Sequence, residues 1–152
     1  MQVPAPVPAQ VPAHDWDSSI RVQNVARLRA IIQEYGWPGN SLVGRDGARA
    51  AWVIAQHADF DVPFQNECLT LIQAAYLRGD VDGHDLAYLT DRIATMGGRP
   101  AVYGTQGAAV YTPEQEAVID ARRRSVGLPS LAEFRAMIAR GEYWRVHEPT
   151  DW

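Results

Sequence analysis

Of its 152 residues the chain spends only one on cysteine, Cys68, so no internal disulfide can form. With 47% hydrophobic residues at this length, a packed core needs no covalent staple. Cys68 lies beside Leu69 in a helical pattern and reads first as a buried structural thiol, with a nucleophile as the lesser reading. The count is silent on redox compartment. Also missing is any apolar run near the ~20 residues that cross a bilayer. Excess positive charge is lacking too: the formal net charge is -4, which argues against nucleic acid or an anionic membrane surface as the main partner. The one basic run, Arg122-Arg123-Arg124, points around most of a helix and reads as a solvated face with Asp120 as a partner.

Catalytic signatures are equally scarce. There is no Gly-x-Ser-x-Gly elbow, no Ser-x-x-Lys pair and no P-loop. The glycines sit in loops without the strand-turn-helix context of a dinucleotide site, so no cofactor is expected. Four histidines are present (His14, His57, His84 and His147), but none has His-x-x-x-His or Glu-x-x-His spacing. A metal site from His57, Asp59 and His84 would require their helices to face each other. No metal is expected.

What is present begins with a proline-rich stretch. Residues 1–14 carry Pro4, Pro6, Pro8 and Pro12 in a Val-Pro-Ala repeat, read as a disordered, semi-stiff tail. It has neither a positive first region nor an unbroken apolar one, so it is not an intact signal peptide. The expected compartment is cytoplasmic, with export after leader removal as the alternative. Residues 15–145 read as a single helical domain and 146–152 as a short tail.

Apolar spacing predicts a first helix over 19–35, built on Val25, Leu28, Ile31 and Ile32 and stopped at Gly36. Residues 37–47 read as a glycine-rich loop and 48–58 as a second helix. Asp61 is placed to cap a third, with Pro63 in its first turn and Gly79 beyond its end. A fourth spans about 82–96 and ends at Gly97-Gly98. Residues 99–111 suit a short β-hairpin or an irregular loop. Thr112 with Gln115, and Ser130 with Glu133, are capping boxes that open a fifth and a sixth helix. The expected fold is therefore mainly α, a compact helical domain of about six helices with one short β-hairpin or irregular loop.

Polar groups interrupt the apolar stripes in three places. On the second helix Trp52, Gln56 and Asp59 follow at i, i+4 and i+7, with His57 about a hundred degrees round from that face. On the fourth, His84, Tyr88, Asp91 and Arg92 form another stripe, and the adjacent Asp91 and Arg92 must serve different neighbours. Between them in function stands Tyr103-Gly-Thr-Gln106, where Gly104 permits a sharp backbone that frees Tyr103 and Gln106 to point inward. Each residue alone has a structural explanation: a core histidine, a helix-closing aspartate, an Asp-Arg ion pair, a tyrosine with its ring in the core. Together they need shared hydrogen bonds in a small interior.

These segments resemble, in series, a known family. Tyr35-Gly-Trp-Pro38, Gln56-His-Ala-Asp59 with Phe64-Gln65, Ala87-Tyr-Leu-Thr-Asp-Arg92, Tyr103-Gly-Thr-Gln106 and Asp120-x-Arg-Arg123 with Gly127-Leu128 are similar in order and spacing to small bacterial domains of unknown function. The resemblance covers about residues 24–134. It implies a bacterial origin and a mainly helical fold, and no substrate. Two departures stand out: the family's first helix carries an Asp-Gln pair ahead of an Arg, where this chain has Asp17-Ser18 before Arg21, and the stretch between Gln106 and Asp120 is shortened.

The expectation drawn from the residues is an enzyme-like domain using metal-independent acid-base chemistry on a polar small molecule or modified peptide. His57 is the proton carrier, since its ordinary pKa is near neutrality, and Asp59 or Asp91 orients or balances it. Trp52, Gln56, Tyr88, Arg92, Tyr103 and Gln106 are the substrate-binding candidates, with Arg92 facing an anion. The alternative is a non-catalytic binding or protein-interaction module whose buried polar network is structural. Convergence separates them: an enzyme needs His57 and the Tyr-Gly-Thr-Gln loop around one open cavity.

Overall fold

Caps set most of the helix boundaries. The computed structural model describes residues 13–106 and 109–142, with side chains from residue 18 onward. Its helices are α1 (Ala13–Tyr35), α2 (Asn40–Gln56), α3 (Val62–Leu77), α4 (Gly83–Met96), α5 (Pro113–Ser125) and α6 (Leu131–Ala139). The Asp61 carboxylate accepts from the Phe64 amide at the start of α3, and Pro63 lies in that first turn, where its missing donor costs nothing. Both expected capping boxes form, Thr112 with Gln115 on α5 and Ser130 with Glu133 on α6. Among the described residues no strand forms, and the described parts of this stretch, 99–106 and 109–111, take the irregular-loop alternative. Of the tail expected at 1–14, residues 1–12 lie outside the described residues while 13 and 14 begin α1, and the tail expected at 146–152 lies wholly outside them.

Three boundaries differ from expectation. Helix α1 starts at Ala13, six residues before the apolar stripe predicts. The segment read as a glycine-rich loop is mostly helical from Asn40 onward. Asp80, in the turn after α3, makes this possible by accepting from the Asn40 amide through its carbonyl and from the Ser41 amide through its side chain. Gly44 then breaks the helix with φ 72° and ψ 173°, a conformation that a residue with a side chain rarely adopts. Finally, α2 closes at Gln56 with His57 as its C-cap, so Asp59 falls in the following turn and not on the helical face assumed for it.

The main core is built by α1 to α4. Helix α3 packs on α4, α1 on α2, and α2 on both α3 and α4. Leu28, Trp52, Phe64, Cys68, Ile72 and Leu89 are buried among them. Helices α5 and α6 pack on each other and bury Ile119, Leu131 and Phe134 outside that cluster. The loop between α4 and α5 therefore connects two apolar centres.

Candidate functional site

The Asp91 carboxylate, on α4, is fully buried and accepts four hydrogen bonds from the α4–α5 loop. Oδ1 takes the amides of Val102 (2.6 Å) and Tyr103 (2.9 Å). Oδ2 takes the amide and the hydroxyl of Thr105, each at 2.8 Å. From the other side Arg123 of α5 donates to the Tyr103 carbonyl at 2.8 Å and to the Pro129 carbonyl, with its guanidinium 5.0 Å from the Phe134 ring centre. An acid and a base thus hold one peptide segment between them. Gly104 sits inside this clamp at φ 63°, and a Cβ there would meet Leu131 at 3.0 Å.

Arg123 corrects the expectation of a solvated basic face: it is 1% exposed, while Arg122 and Arg124 on either side are exposed. Burial pushes its guanidinium below the ordinary value, opposed by Tyr88, Asp120 and Asp91. Asp120 does not pair with the run; it accepts from the Leu131 amide at the start of α6, at 2.7 Å, where a negative charge suits the helix dipole.

Arg92 points elsewhere than its neighbour. It meets Asp59 in a two-pronged pair, Nε to Oδ1 at 2.9 Å and Nη2 to Oδ2. Gln65 of α3 completes this junction. Its buried amide nitrogen approaches the carbonyls of Ala55 and Gln56, at the open end of α2, and Asp59 Oδ1 at 3.1 Å. Burial would raise the Asp59 carboxyl, but hydrogen bonds from Arg92 and Gln65 and the adjacent Arg92 charge hold it below the usual carboxylate value.

The other candidates divide into packed and open groups. Trp52 is buried and donates from its indole to the Asp85 carbonyl at 3.0 Å. Tyr88 is buried, edge-on to Trp52 and stacked at 4.2 Å on His84, whose Nδ1 lies 2.9 Å from Asp85. Gln56 is buried, its Oε1 without a hydrogen-bond partner among the described residues. Tyr103 and Gln106 are half-buried; burial, then the Asp91 charge, raises the Tyr103 hydroxyl.

His57 alone of the expected catalytic residues is exposed. It forms part of the wall of a groove of about 340 Å³ with Arg21, Asn24 and Val25 of α1 and Val53 and Ile54 of α2. Arg21 Nη2 donates to the His57 carbonyl at 2.6 Å, tying α1 to the end of α2. Partial burial of the ring lowers the His57 pKa from its ordinary 6.5; Arg92 and Arg21 push the same way and Asp59 opposes them. A second, larger cavity of about 690 Å³ lies against Gly104, Thr105, Tyr111, Leu131 and Phe134. His57 is no part of that wall, and the Tyr-Gly-Thr-Gln loop is no part of the His57 groove. Neither of these two cavities brings together the two features expected to share one.

Four residues that carry much of this geometry escaped the sequence reading as site residues: Arg21, Gln65, Thr105 and Arg123. Gln65, Thr105 and Arg123 do stand in the quoted motifs, which is the only signal that marks them. Among the described residues no three histidine, cysteine, aspartate or glutamate side chains gather closely enough to hold a metal ion. Burial pushes the Cys68 thiol up to about 12, which keeps it protonated and unreactive at neutral pH. Within the described residues no helix is long and apolar enough to cross a membrane.

Compared with known proteins, residues 7–145 match a family of unknown function, DUF6624. The chain belongs to that family. No curated protein and no solved structure gives a match. Membership in DUF6624 thus supplies no reaction, and the functional reading rests on the site itself.

Proposed function

We propose that this DUF6624 chain is a non-catalytic binding module that takes a polar small molecule or a peptide in the groove beside His57. One contrast carries the reading. The buried Asp91 and Arg123 and the partly buried Asp59 spend their hydrogen bonds on the fold. At the His57 groove, by contrast, no side chain among the described residues hydrogen-bonds the imidazole, and the groove is open. A paired group stabilises a structure, whereas an open polar group beside apolar walls is available to a ligand.

Acid-base catalysis by His57 is the second reading. The lowered pKa favours it, because a neutral imidazole at pH 7 can accept a proton. Against it stands the lack of an orienting group: both Asp59 oxygens are engaged by Arg92, and both Asp91 oxygens face the loop. The larger cavity has a matched charge pair in its wall, Arg135 to Glu116 at 2.7 Å, and offers less unspent polarity.

The test is an amide chemical-shift screen of the full chain against small polar molecules and short peptides. Shifts gathered at residues 21–25 and 53–57, lost in His57→Gln, are the expected result. Shifts gathered instead at 104–111, or no shifts at all, contradict the reading. Turnover of any screened compound that disappears in His57→Gln would favour the catalytic alternative.

A further inference from the structure

The groove holds more positive charge than its own structure consumes. Arg21 makes no ion pair among the described residues, and its Nε is buried with no hydrogen-bond partner. Its Nη2 goes to a neutral carbonyl, and its guanidinium lies 5.8 Å from the Phe60 ring centre, neither of which supplies a negative charge. Three other arginines of the α1–α4 unit are balanced, Arg29 by Asp61 at 2.7 Å, Arg49 by Asp85 at 3.4 Å and Arg92 by Asp59, whereas Arg27 and Arg78, unpaired among the described residues, are exposed and line no part of this groove. His57 and Asn24 line the groove with Arg21, and Val25, Val53 and Ile54 form its apolar walls.

Building on the reading of this groove as the ligand site, we propose that it takes a carboxylate carried on an apolar stem. The oxyanion would lie against Arg21, His57 and Asn24, and the stem against Val25, Val53 and Ile54. Three observations support this ligand class. A half-buried guanidinium with no counter-ion among the described residues gains from an anion, because a charge-assisted hydrogen bond is stronger than a neutral one. The apolar walls reward a hydrocarbon stem and not a bare ion. The charged groups that bear on His57 are Arg92 of α4, Arg21 of α1 and Asp59 of the α2–α3 turn. The Asp59 charge is already spent on Arg92. An arriving carboxylate would therefore favour the imidazolium, so binding would take up a proton and tighten as pH falls toward the ring's own midpoint.

Hexanoate, hexanamide and inorganic phosphate separate the contributions when titrated into the full chain and followed by the His57 ring and backbone amide signals. Hexanoate should shift residues 21–25 and 53–57 and raise the ring's titration midpoint. Hexanamide, the neutral isostere, and phosphate, which lacks a stem, should each bind about tenfold more weakly or worse. Arg21→Gln should weaken hexanoate by about tenfold and leave hexanamide unchanged, while Arg21→Lys retains most of the hexanoate affinity. Hexanamide binding as tightly as hexanoate would overturn the anion assignment and leave the groove standing as a ligand site. Phosphate matching hexanoate would overturn the apolar stem. Silence from all three would overturn the inference, and the wider screen would still decide the groove.

Discussion

Asp91 and His57 were both catalytic candidates in the sequence, His57 as proton carrier and Asp91 as one of two residues to orient it, and the fold treats them in opposite ways. Asp91 is sealed, with four donors on two oxygens and Arg123 on the far side of the same peptide. His57 stands at a helix end, exposed, with its carbonyl held and its ring open. The difference teaches that a polar residue inside an apolar stripe is not evidence of chemistry until its partners are known. Backbone amides can absorb a buried carboxylate completely, and then its work is to hold a loop.

The sharpest way to break that comparison is to remove the sealed group. Asp91→Ala should strand three amides and a hydroxyl and cost about 3–5 kcal/mol in denaturant melts. Asp91→Asn, which keeps the shape, should cost less but still more than 1 kcal/mol, on the order of the penalty for an unmatched buried group. A change below 0.5 kcal/mol, roughly the level of an ordinary surface substitution, in both variants would show that the clamp is not holding the loop.

Arg123→Met comes next, at about 2–3 kcal/mol, since it leaves the Tyr103 and Pro129 carbonyls without their donor. The clamp predicts more than two separate losses. Asp91→Asn and Arg123→Met should combine to less than their sum, because either one releases the same segment. Strict additivity would mean that the two residues stabilise different structures.

Asp59→Asn should cost only about 1 kcal/mol, because its pair with Arg92 is roughly a quarter exposed and screened. The carboxyl pKa is lowered by folding from 3.8, so its contribution is present above that value and is lost as pH falls through the folded one. Acid melts of wild type and Asp59→Asn should therefore converge below the usual carboxylate range. A gap that persists or widens there would contradict the pairing.

How much of this was legible depended on whether the signal was local. Capping boxes at Thr112 and Ser130, the Asp61 cap and the glycine stops are fixed by neighbours three or four residues apart, and those helices form where expected. The start of α2 was hidden because its cap, Asp80, lies some forty positions away in the chain. Arg123 was hidden because nothing in three consecutive arginines says which one meets a loop. The partners of Asp91 are mostly amides, which carry no residue signature at all. Asp59 reached Arg92 from a turn and not from the helical face, so that pairing could be suspected from residue types but not from periodicity. The groove depends on Arg21 approaching the end of α2, a tertiary contact between residues 36 positions apart.

The smallest expected effect on stability is also the most telling. His57→Gln should change stability by less than about 1 kcal/mol, because no packed core is emptied. Its folded pKa lies below 6.5, so the stability linked to this residue is present above that value and declines as pH falls through the folded midpoint. The central claim, that the sealed polar groups hold the fold while the open one is available to a ligand, is tested most directly by following the His57 ring by NMR as pH is lowered. The account predicts a reversible titration with a midpoint below 6.5 while the backbone spectrum stays folded. A ring that takes up its proton only as the protein unfolds would contradict it.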